Sequence, residues 1–265
     1  MTTTTTDPTT APGRSGEASR VLALAAAEVR LVVRNRTLAI SSLLLPVAFG
    51  VFFAFTFDPG NQGVWGIVVA LQLVMTLTMG VYMTITQAVV ARRQSRVLKR
   101  MRTSSLSDTG ILLAVTGPGT AVALLHLVVY ALIDLVLGAP APDPLPLLLA
   151  VVGGFAVCVT AAFATANVTS SPERAQITTM PLFLLMFAAA FVLPNIPVDS
   201  PLQALVFVPG APIGQLTQLA FTGGAWGPGL LGLPAVVPAV VSLAGWSVAF
   251  AVLARRSFRW DPRAV

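Results

Sequence analysis

The side chains of this sequence that could carry chemistry are few and lie inside apolar runs. His126, the only histidine, is followed at four-residue intervals by Tyr130 and Asp134, so a helix would carry all three on one side. A histidine in that setting predicts either a proton relay or a contact with a substrate. The alternative is a histidine hydrogen-bonded within a helix bundle, with Asp134 near the outer end of its helix, where water reaches it.

A second polar set follows one side of the apolar run that begins near residue 64. Its members lie within about 120° on a helical wheel drawn at 3.6 residues per turn: Gln72, Thr76, Gly80, Thr84 and Gln87. Polar side chains in membrane-spanning helices face protein or water rather than lipid. The stripe therefore predicts either the lining of a substrate path or a set of hydrogen bonds between helices.

Catalysis on this chain is not expected. A single cysteine, Cys158, allows no intramolecular disulfide and no cysteine-based metal site. Lys99 is the only lysine, and no Gly-x-x-x-x-Gly-Lys-[Ser/Thr] sequence surrounds it, so this loop for cradling nucleotide phosphates is absent from the sequence. We predict a protein that is not an enzyme and that needs no cofactor or metal ion of its own.

The composition is that of an integral membrane protein. Of 265 residues, 55% are hydrophobic and only 10% are charged, whereas soluble domains carry about 25% charged residues. A soluble fold would have too few polar side chains to cover its surface. The net charge of +6 would suggest nucleic acid as the partner of a soluble chain. Here the positions of the basic residues explain it better, and nucleic-acid binding is not expected.

Basic residues occur in four places only: the region up to Arg36, residues 92–102, Arg174, and the tail from Arg255. Residues 92–106, which we call the basic stretch, contain six of them: Arg92, Arg93, Arg96, Lys99, Arg100 and Arg102. Such a cluster cannot enter the hydrocarbon core, and basic loops stay on the cytoplasmic side. The alternating segments contain Asp58, Asp143 and Asp199 but no base. This pattern predicts a multi-pass protein of the plasma membrane with both termini in the cytoplasm.

Six apolar runs have about the 20 residues needed to cross a bilayer. They lie at about residues 38–57, 64–91, 111–138, 147–168, 177–193 and 230–254. In the third, Gly117-Pro118-Gly119 predicts a kink or a break. The fourth has small residues at every fourth position, which permit close packing of helices: Gly154, Cys158, Ala162 and Ala166.

Three segments lie outside these spans. Residues 1–16 are of low complexity and predicted to be disordered. Residues 17–36 have an apolar and a charged face, which predicts a helix along the cytoplasmic interface or one packed on the cytosolic loop. Residues 194–229 are apolar but broken by proline and glycine into pieces too short to cross, which predicts re-entrant or interfacial helices. The predicted fold class is thus an all-α integral membrane protein.

This arrangement resembles the membrane subunits of type-2 ATP-binding-cassette (ABC) exporters, a permease family that includes drug and lipid exporters of actinobacteria. The most specific match is Leu98-Lys99-Arg100-Met101-Arg102-Thr103-Ser104-Ser105-Leu106-Ser107, which is similar to the family's Leu-x-Arg-Leu-Arg-x-Thr-Pro-Leu-Ser signature. Two further matches are Val33-Arg34-Asn35-Arg36 and Phe207-Val208-Pro209-Gly210-Ala211-Pro212. Residues 17–265 would then form one ABC-2-type transmembrane domain.

The resemblance implies that a separate cytosolic ABC ATPase, in two copies and with its own ATP and Mg²⁺, drives this chain. In the family, the helix after the second span sits in a groove of the ATPase. The contacts would be Arg92, Arg93, Arg96, Leu98, Lys99, Arg100, Met101, Arg102 and Leu106, with Glu173 and Arg174 of the second inner loop beside them. The alternative is that the basic residues only set topology and touch anionic lipids, and that Glu173 and Arg174 pair with each other.

The resemblance also implies a pair of permease subunits, identical or different, that exports an amphipathic drug-like or lipid-like molecule. The residues lining its path would be Gln72, Thr76, Thr84, Gln87 and His126. A stand-alone channel or secondary transporter is the main alternative, and charges at mid-depth of the membrane would distinguish it. A membrane anchor that transports nothing is a third reading of the same sequence.

Overall fold

The computed structural model describes residues 36–57, 62–95, 108–197 and 200–257. These residues form seven helices: α1 (Arg36–Thr56), α2 (Trp65–Gln94), α3 (Asp108–Val136), α4 (Pro144–Val168), α5 (Pro172–Val192), α6 (Ala211–Thr222) and α7 (Val236–Ser257). In the same ranges, one isolated bridge between Pro228 and Pro234 is the only strand-like pairing. The predicted tail at 1–16, the predicted interfacial helix before Arg36 and residues 96–107 of the basic stretch lie outside the described residues.

The predicted all-α membrane fold is confirmed. Among the described residues, five helices are long and apolar enough to cross a bilayer, namely α2, α3, α4, α5 with its 3-10 extension to Asn195, and α7. The number is six if the bent pair Pro201–Phe207 and Ala211–Thr222 counts as one span. Helix α1, at 21 residues, also has the length of a span. The six predicted spans thus correspond to α1–α5 and α7.

Three helices begin away from the positions that the apolar runs predicted, and local backbone chemistry explains each difference. Helix α4 begins at Pro144, because the Asp143 carboxylate accepts a hydrogen bond from the amide of Leu145. Helix α5 begins at Pro172 rather than near 177, because Ser171 caps it in the same way. Helix α7 begins at Val236 rather than 230, because Leu231 has a positive φ of 59° that interrupts the helix.

The long helices alternate in direction, which gives the bundle two distinct ends. At one end, which we call the Arg93 end, α2 and α4 finish and α5 begins. At the other, the Asp143 end, α3 finishes and α4 begins. Hydrogen bonds between distant segments support this arrangement: the amide of Asp143 donates to the Ala220 carbonyl at the end of α6 over 2.7 Å. By the positive-inside rule, the Arg93 end is the predicted cytoplasmic end.

Helix α2 is the centre of the bundle. In its most apolar window 83% of the residues are buried, against 22–33% for the other spans. Helices α1, α3, α4, α5 and α6 all pack against it, and α4 also packs along α7. A helix that is buried all round must be apolar all round. That explains why its polar residues are so few and why each needs a partner inside the protein.

The middle of α2, Thr76–Met83, is π-helical. Its wider turn is seen where the Thr84 hydroxyl donates to the carbonyl of Met79, five residues earlier, over 3.0 Å. Helix α3 crosses here, and a methyl group on Gly119 would lie 3.0 Å from the Gly80 carbonyl oxygen. Of the kink or break predicted at Gly117-Pro118-Gly119, the break is wrong, because α3 continues through Pro118 from Asp108 to Val136. The glycine there permits a close crossing instead.

Residues 201–222 form a re-entrant hairpin, as the sequence predicted. The 3-10 turn Pro201–Phe207 and helix α6 meet at 116°. The turn between them is at the level of Met186 in α5, since a side chain on Gly210 would overlap the Met186 backbone, and one on Gly214 would overlap the Ala190 carbonyl. The indole of Trp246 donates to the Phe207 carbonyl over 2.8 Å. Residues 209–214, where the chain turns into α6, are thus buried in protein, as irregular backbone in a membrane requires, whereas Leu202, Leu205 and Phe207 of the 3-10 turn are exposed.

The close approach at Gly210 leads to the first prediction. Gly210 has a φ of +93°, and a Cβ there would meet the backbone of α5. A positive φ alone costs an L-residue about 1–2 kcal/mol, and the overlap with Met186 adds to that because a helix backbone cannot move aside. We expect Gly210→Ala to lower the unfolding midpoint of the detergent-solubilised protein sharply, as followed by tryptophan fluorescence.

Gly138 is the control, because its φ of +86° is close to that of Gly210 and nothing lies within 4 Å of the added methyl group. Gly138→Ala should therefore show the cost of a positive φ without the overlap. Equal losses of stability in the two variants would show that the packing of α6 on α5 is looser than described.

Candidate functional site

A polar cluster links α1, α2 and α3 near the Asp143 end. The Gln72 side-chain amide donates to the Asp134 carboxylate over 2.9 Å and to the Gly50 carbonyl over 3.4 Å. The Tyr130 hydroxyl donates to the Pro46 carbonyl of α1. Gln72, Tyr130 and Asp134 are all buried. The three helices are therefore joined by hydrogen bonds that the apolar surroundings make costly to break.

Beside this cluster lies a cavity of about 530 Å³ between α2, α3 and α4. Its walls are apolar apart from Gln72, Tyr130 and Asp134, and the segment 139–142 and Phe221 cover its Asp143 end. The volume is within the range of about 300–1,000 Å³ that drug-sized ligands occupy. An apolar cavity with a few convergent polar groups is the usual form of a small-molecule site.

The predicted path residues divide into two groups in the structure. Gln72 lines the cavity. Thr76 of α2 and His126 of α3 are buried on the side of the cavity toward the Arg93 end. The His126 ring stacks on Tyr130 with centroids 6.1 Å apart, and its Nδ1 faces Gly80. Thr84 and Gln87 are half-buried and lie beyond the π segment, toward the Arg93 end. Because each π turn takes up an extra residue, the stripe drawn at 3.6 residues per turn goes out of phase there.

At the opposite end, Arg93 is buried beneath the start of the basic stretch. Its guanidinium donates to the Ala166 carbonyl over 2.9 Å and to the Thr169 carbonyl. Both carbonyls belong to the last turn of α4, where helices leave backbone acceptors without partners. Only 2% of Arg93 is exposed. This arginine therefore joins α2 to the end of α4 and is not a surface contact.

Neighbouring bonds strengthen this junction. The Gln94 amide donates to the Ser170 carbonyl over 3.4 Å, and the Asn167 amide donates to the Ala254 carbonyl of α7 over 3.1 Å. The small-residue stripe of α4 is buried, as close packing requires. The ends of α2, α4 and α7 thus form one connected unit, which we call the Arg93 junction.

The other predicted contacts lie around this junction or outside the described residues. Arg92 is half-buried at the end of α2, and Glu173 and Arg174 are exposed on the first turn of α5. The Arg174 guanidinium donates to the Ser170 hydroxyl over 3.4 Å. Outside the described residues lie Arg96, Leu98, Lys99, Arg100, Met101, Arg102 and Leu106. The structure therefore brings the first residues of the basic stretch close to the loop between α4 and α5.

Residues 57–256 match the family model described as ABC-2 family transporter protein, which is well over half of the chain. The chain belongs to the ABC-2 family of transporters. A search of curated proteins found no match. The match includes α2–α7, the cavity and the Arg93 junction, and it supports a multi-pass permease subunit of an ABC transporter. Membership of this family implies an ABC ATPase subunit as a partner and a transport subunit that is not itself the ATPase.

Two features of this ABC-2 permease were not apparent from sequence. The separate role of Arg93 is hidden because one base precedes it and four follow within ten residues, and only its position facing α4 distinguishes it. The pairing of Gln72 with Asp134 joins residues 62 positions apart. The sequence indicated each partner separately, through the polar stripe of α2 and the four-residue spacing of Tyr130 and Asp134, but not their contact.

The Arg93 junction gives a second prediction. Arg93→Ala would leave two buried carbonyls without donors, at a cost of about 1–3 kcal/mol for each group. We expect a lower unfolding midpoint and faster amide hydrogen exchange in residues 166–171. Arg93→Lys keeps the charge but not the planar fork, so it should recover only part of the loss.

Arg256→Ala is the control for this series, because Arg256 is exposed at the end of α7. It should change stability by no more than about 0.5 kcal/mol. Full recovery by lysine would mean that the charge at position 93 matters and the two-carbonyl geometry does not.

Proposed function

We propose that this chain is the permease subunit of an ABC exporter and couples ATP hydrolysis on a separate ATPase to export of an amphipathic, drug-like or lipid-like molecule. Two ATPase copies and a second permease subunit, identical or different, would complete the transporter in the plasma membrane. Both termini would lie in the cytoplasm. The family supports the permease role and the ATPase partnership, and the remaining details are our proposal.

The observation that carries the proposal is the course of α2. Its first half lines the cavity through Gln72, and its last turn, where the basic stretch begins, holds the end of α4 through Arg93. Helix α4 also lines the cavity, through Leu147 and Val151. A force on the basic stretch would therefore move two cavity walls together, because they are joined at the Arg93 junction.

The chemistry of the inner loops supports docking of a soluble partner. Arg100 and Arg102, beyond the junction, supply strong donors for carboxylate and carbonyl groups, and Leu98, Met101 and Leu106 supply apolar contacts. Glu173 and Arg174 are exposed on the first turn of α5, next to the loop that Arg93 and Gln94 attach to α2 through the Thr169 and Ser170 carbonyls. Docking at either loop would thus act on the same unit.

A second permease subunit is supported by the apolar surface of the monomer. Exposed aromatic side chains follow one side of α1, with Phe49, Phe52 and Phe55 being 41%, 58% and 67% exposed. Lipid chains or another membrane subunit would cover such a face equally well in terms of solvation. Our proposal assigns part of this surface to a partner permease and the rest to lipid.

A third prediction tests the ATPase partnership. Arg100→Glu with Arg102→Glu reverses the charge of the proposed contact, and like charges facing an acidic groove are repelled. We expect at least tenfold weaker co-purification of a co-expressed ABC ATPase and loss of permease-dependent ATP hydrolysis in proteoliposomes.

Arg255→Glu with Arg256→Glu is the matched control, since it makes the same change of charge on exposed residues at the end of α7. This pair should retain both activities. If the loop variant kept complex formation and ATP hydrolysis intact, the docking assignment would be wrong. If only the α7 variant lost them, the ATPase would bind elsewhere on this face.

The alternative is a secondary transporter, and Asp134 is the observation that favours it, because it is a buried acid within a span. It lies two residues before the last residue of α3, next to the Asp143 end, and not at mid-depth. Transport by the purified chain in liposomes without any ATPase, driven by a proton gradient, would establish the alternative and refute the proposed function.

A further inference from the structure

The cavity between α2, α3 and α4 has an unusual balance of hydrogen-bonding groups. All its donors are already in use: the Gln72 amide donates to Asp134 and to the Gly50 carbonyl, and the Tyr130 hydroxyl donates to the Pro46 carbonyl. These bonds also fix the orientation of the Gln72 amide, because both of its partners are acceptors. A ligand that needs a donor finds none among these three side chains.

Acceptors, by contrast, remain available. An ionised carboxylate has about four acceptor sites, and the described hydrogen bond from Gln72 uses one of them at Asp134. The Gln72 side-chain oxygen is buried and has no hydrogen-bond partner, although Gln72 is only 1% exposed. A buried acceptor without a partner is costly in an apolar setting. The polar wall of the cavity is therefore complementary to a hydrogen-bond donor.

The charge of the site points the same way. Asp134 is 7% exposed, and the residues that line the cavity include no lysine, arginine or histidine. An ionised carboxylate in such surroundings is destabilised unless a cation or several donors compensate it. The protein supplies one amide from Gln72. The remaining compensation is available to a cation that carries N–H groups.

The remainder of the cavity is suited to an apolar body. Apart from the three polar side chains, its walls are aliphatic, aromatic or proline residues from α2, α3, α4 and the segment 139–142. Helices α3 and α4 both pack on α2, and between them the cavity reaches the outer surface of the bundle at Leu135, which is 71% exposed. In a bilayer this surface faces lipid chains, so a molecule with an apolar body can enter sideways.

We propose that the Asp134 cavity is a binding site for the protonated amine of an amphipathic molecule, which enters from the membrane between α3 and α4. The amine lies against Asp134 and the Gln72 oxygen, and its apolar part fills the space toward Leu147 and Val151. The proposal deepens the proposed function by naming a class of substrate, and it rests on that function for the claim that the ligand is transported. Binding itself requires no ATPase.

The test uses the full chain, purified alone in lipid nanodiscs at pH 7.5. The probe is an eight-carbon alkylamine bearing a dansyl group at its other end, and its twin is the same molecule with the amine acetylated. Dansyl fluorescence reports binding of both. We expect the amine to bind at least tenfold more tightly than the neutral twin, because only the amine is both a cation and a multiple donor.

Asp134→Asn should remove this preference for the amine and leave the binding of the neutral twin unchanged, since asparagine keeps the shape and the bond from Gln72. Glu173→Gln, which removes an exposed acid at the opposite end, should leave both affinities unchanged. Equal binding of the two probes to the unmodified chain, or an amine preference that survives Asp134→Asn, would overturn the proposal.

A second variant addresses the case in which Asp134→Asn does not fold. Leu135→Trp narrows the exposed mouth without altering the carboxylate, and it should weaken binding of both probes. Unchanged binding would place the probes outside this cavity and overturn the proposal.

The outcome is separable from that of the proposed function. Amine selectivity without any effect of the Arg100 and Arg102 variant would leave this site standing and refute the ATPase docking. If that variant lost ATP hydrolysis but the unmodified chain showed no preference for the amine, the ATPase docking would stand and the amine site would be refuted.

Discussion

The structure depends on the burial of α2. A helix enclosed by five neighbours can present hydrophobic side chains in every direction, but each polar group that it carries must be satisfied by protein. The Gln72 NH2 group meets this requirement at one end, by bonding to α1 and α3, and Arg93 meets it at the other, by bonding to α4. These two residues do more than stabilise the bundle, because they connect its centre to the cavity and to the basic stretch.

Glycine and proline shape the remainder of the fold around that centre. Gly210 and Gly214 let the re-entrant hairpin lie against the backbone of α5, and Gly119 lets α3 cross α2 closely. In α1, the carbonyl of Pro46 accepts a hydrogen bond from the Tyr130 hydroxyl of α3. In water such irregular backbone could bond to solvent. In a bilayer it must be paired or enclosed, so the same residues that break regular structure also fix which helices are neighbours.

Much of the architecture could be predicted from sequence, because span length and charge placement are imposed by the bilayer and are visible in a single chain. The helix count and the re-entrant hairpin follow from apolar run length and from the prolines after residue 194. The starts of α4 and α5 could not be placed from hydropathy, since Asp143 and Ser171 extend each helix beyond the apolar run. The break expected at Pro118 was wrong because neighbouring helices support a continuous α3.

The candidate site was less accessible to sequence reasoning. Residues 126, 130 and 134 are grouped by local periodicity alone, whereas the partnership of Gln72 with Asp134 depends on how two helices cross. Arg93 was grouped with the five other bases of the basic stretch because they are close in the chain, and nothing local reveals that Arg93 faces inward. The docking residues beyond position 95 lie outside the described part of the chain, so their role stays a prediction.

The π-helical segment affects how the length of α2 compares with the thickness of the bilayer. Thirty residues of ordinary α-helix would make a rod of about 45 Å, well beyond a hydrocarbon core of about 30 Å. A π turn takes up one more residue than an α turn without lengthening the helix in proportion. Only eight of the thirty residues of α2 are π-helical, so this segment shortens the helix by no more than a few ångströms. Most of the excess length is therefore taken up by tilt or by extension of α2 beyond the hydrocarbon core.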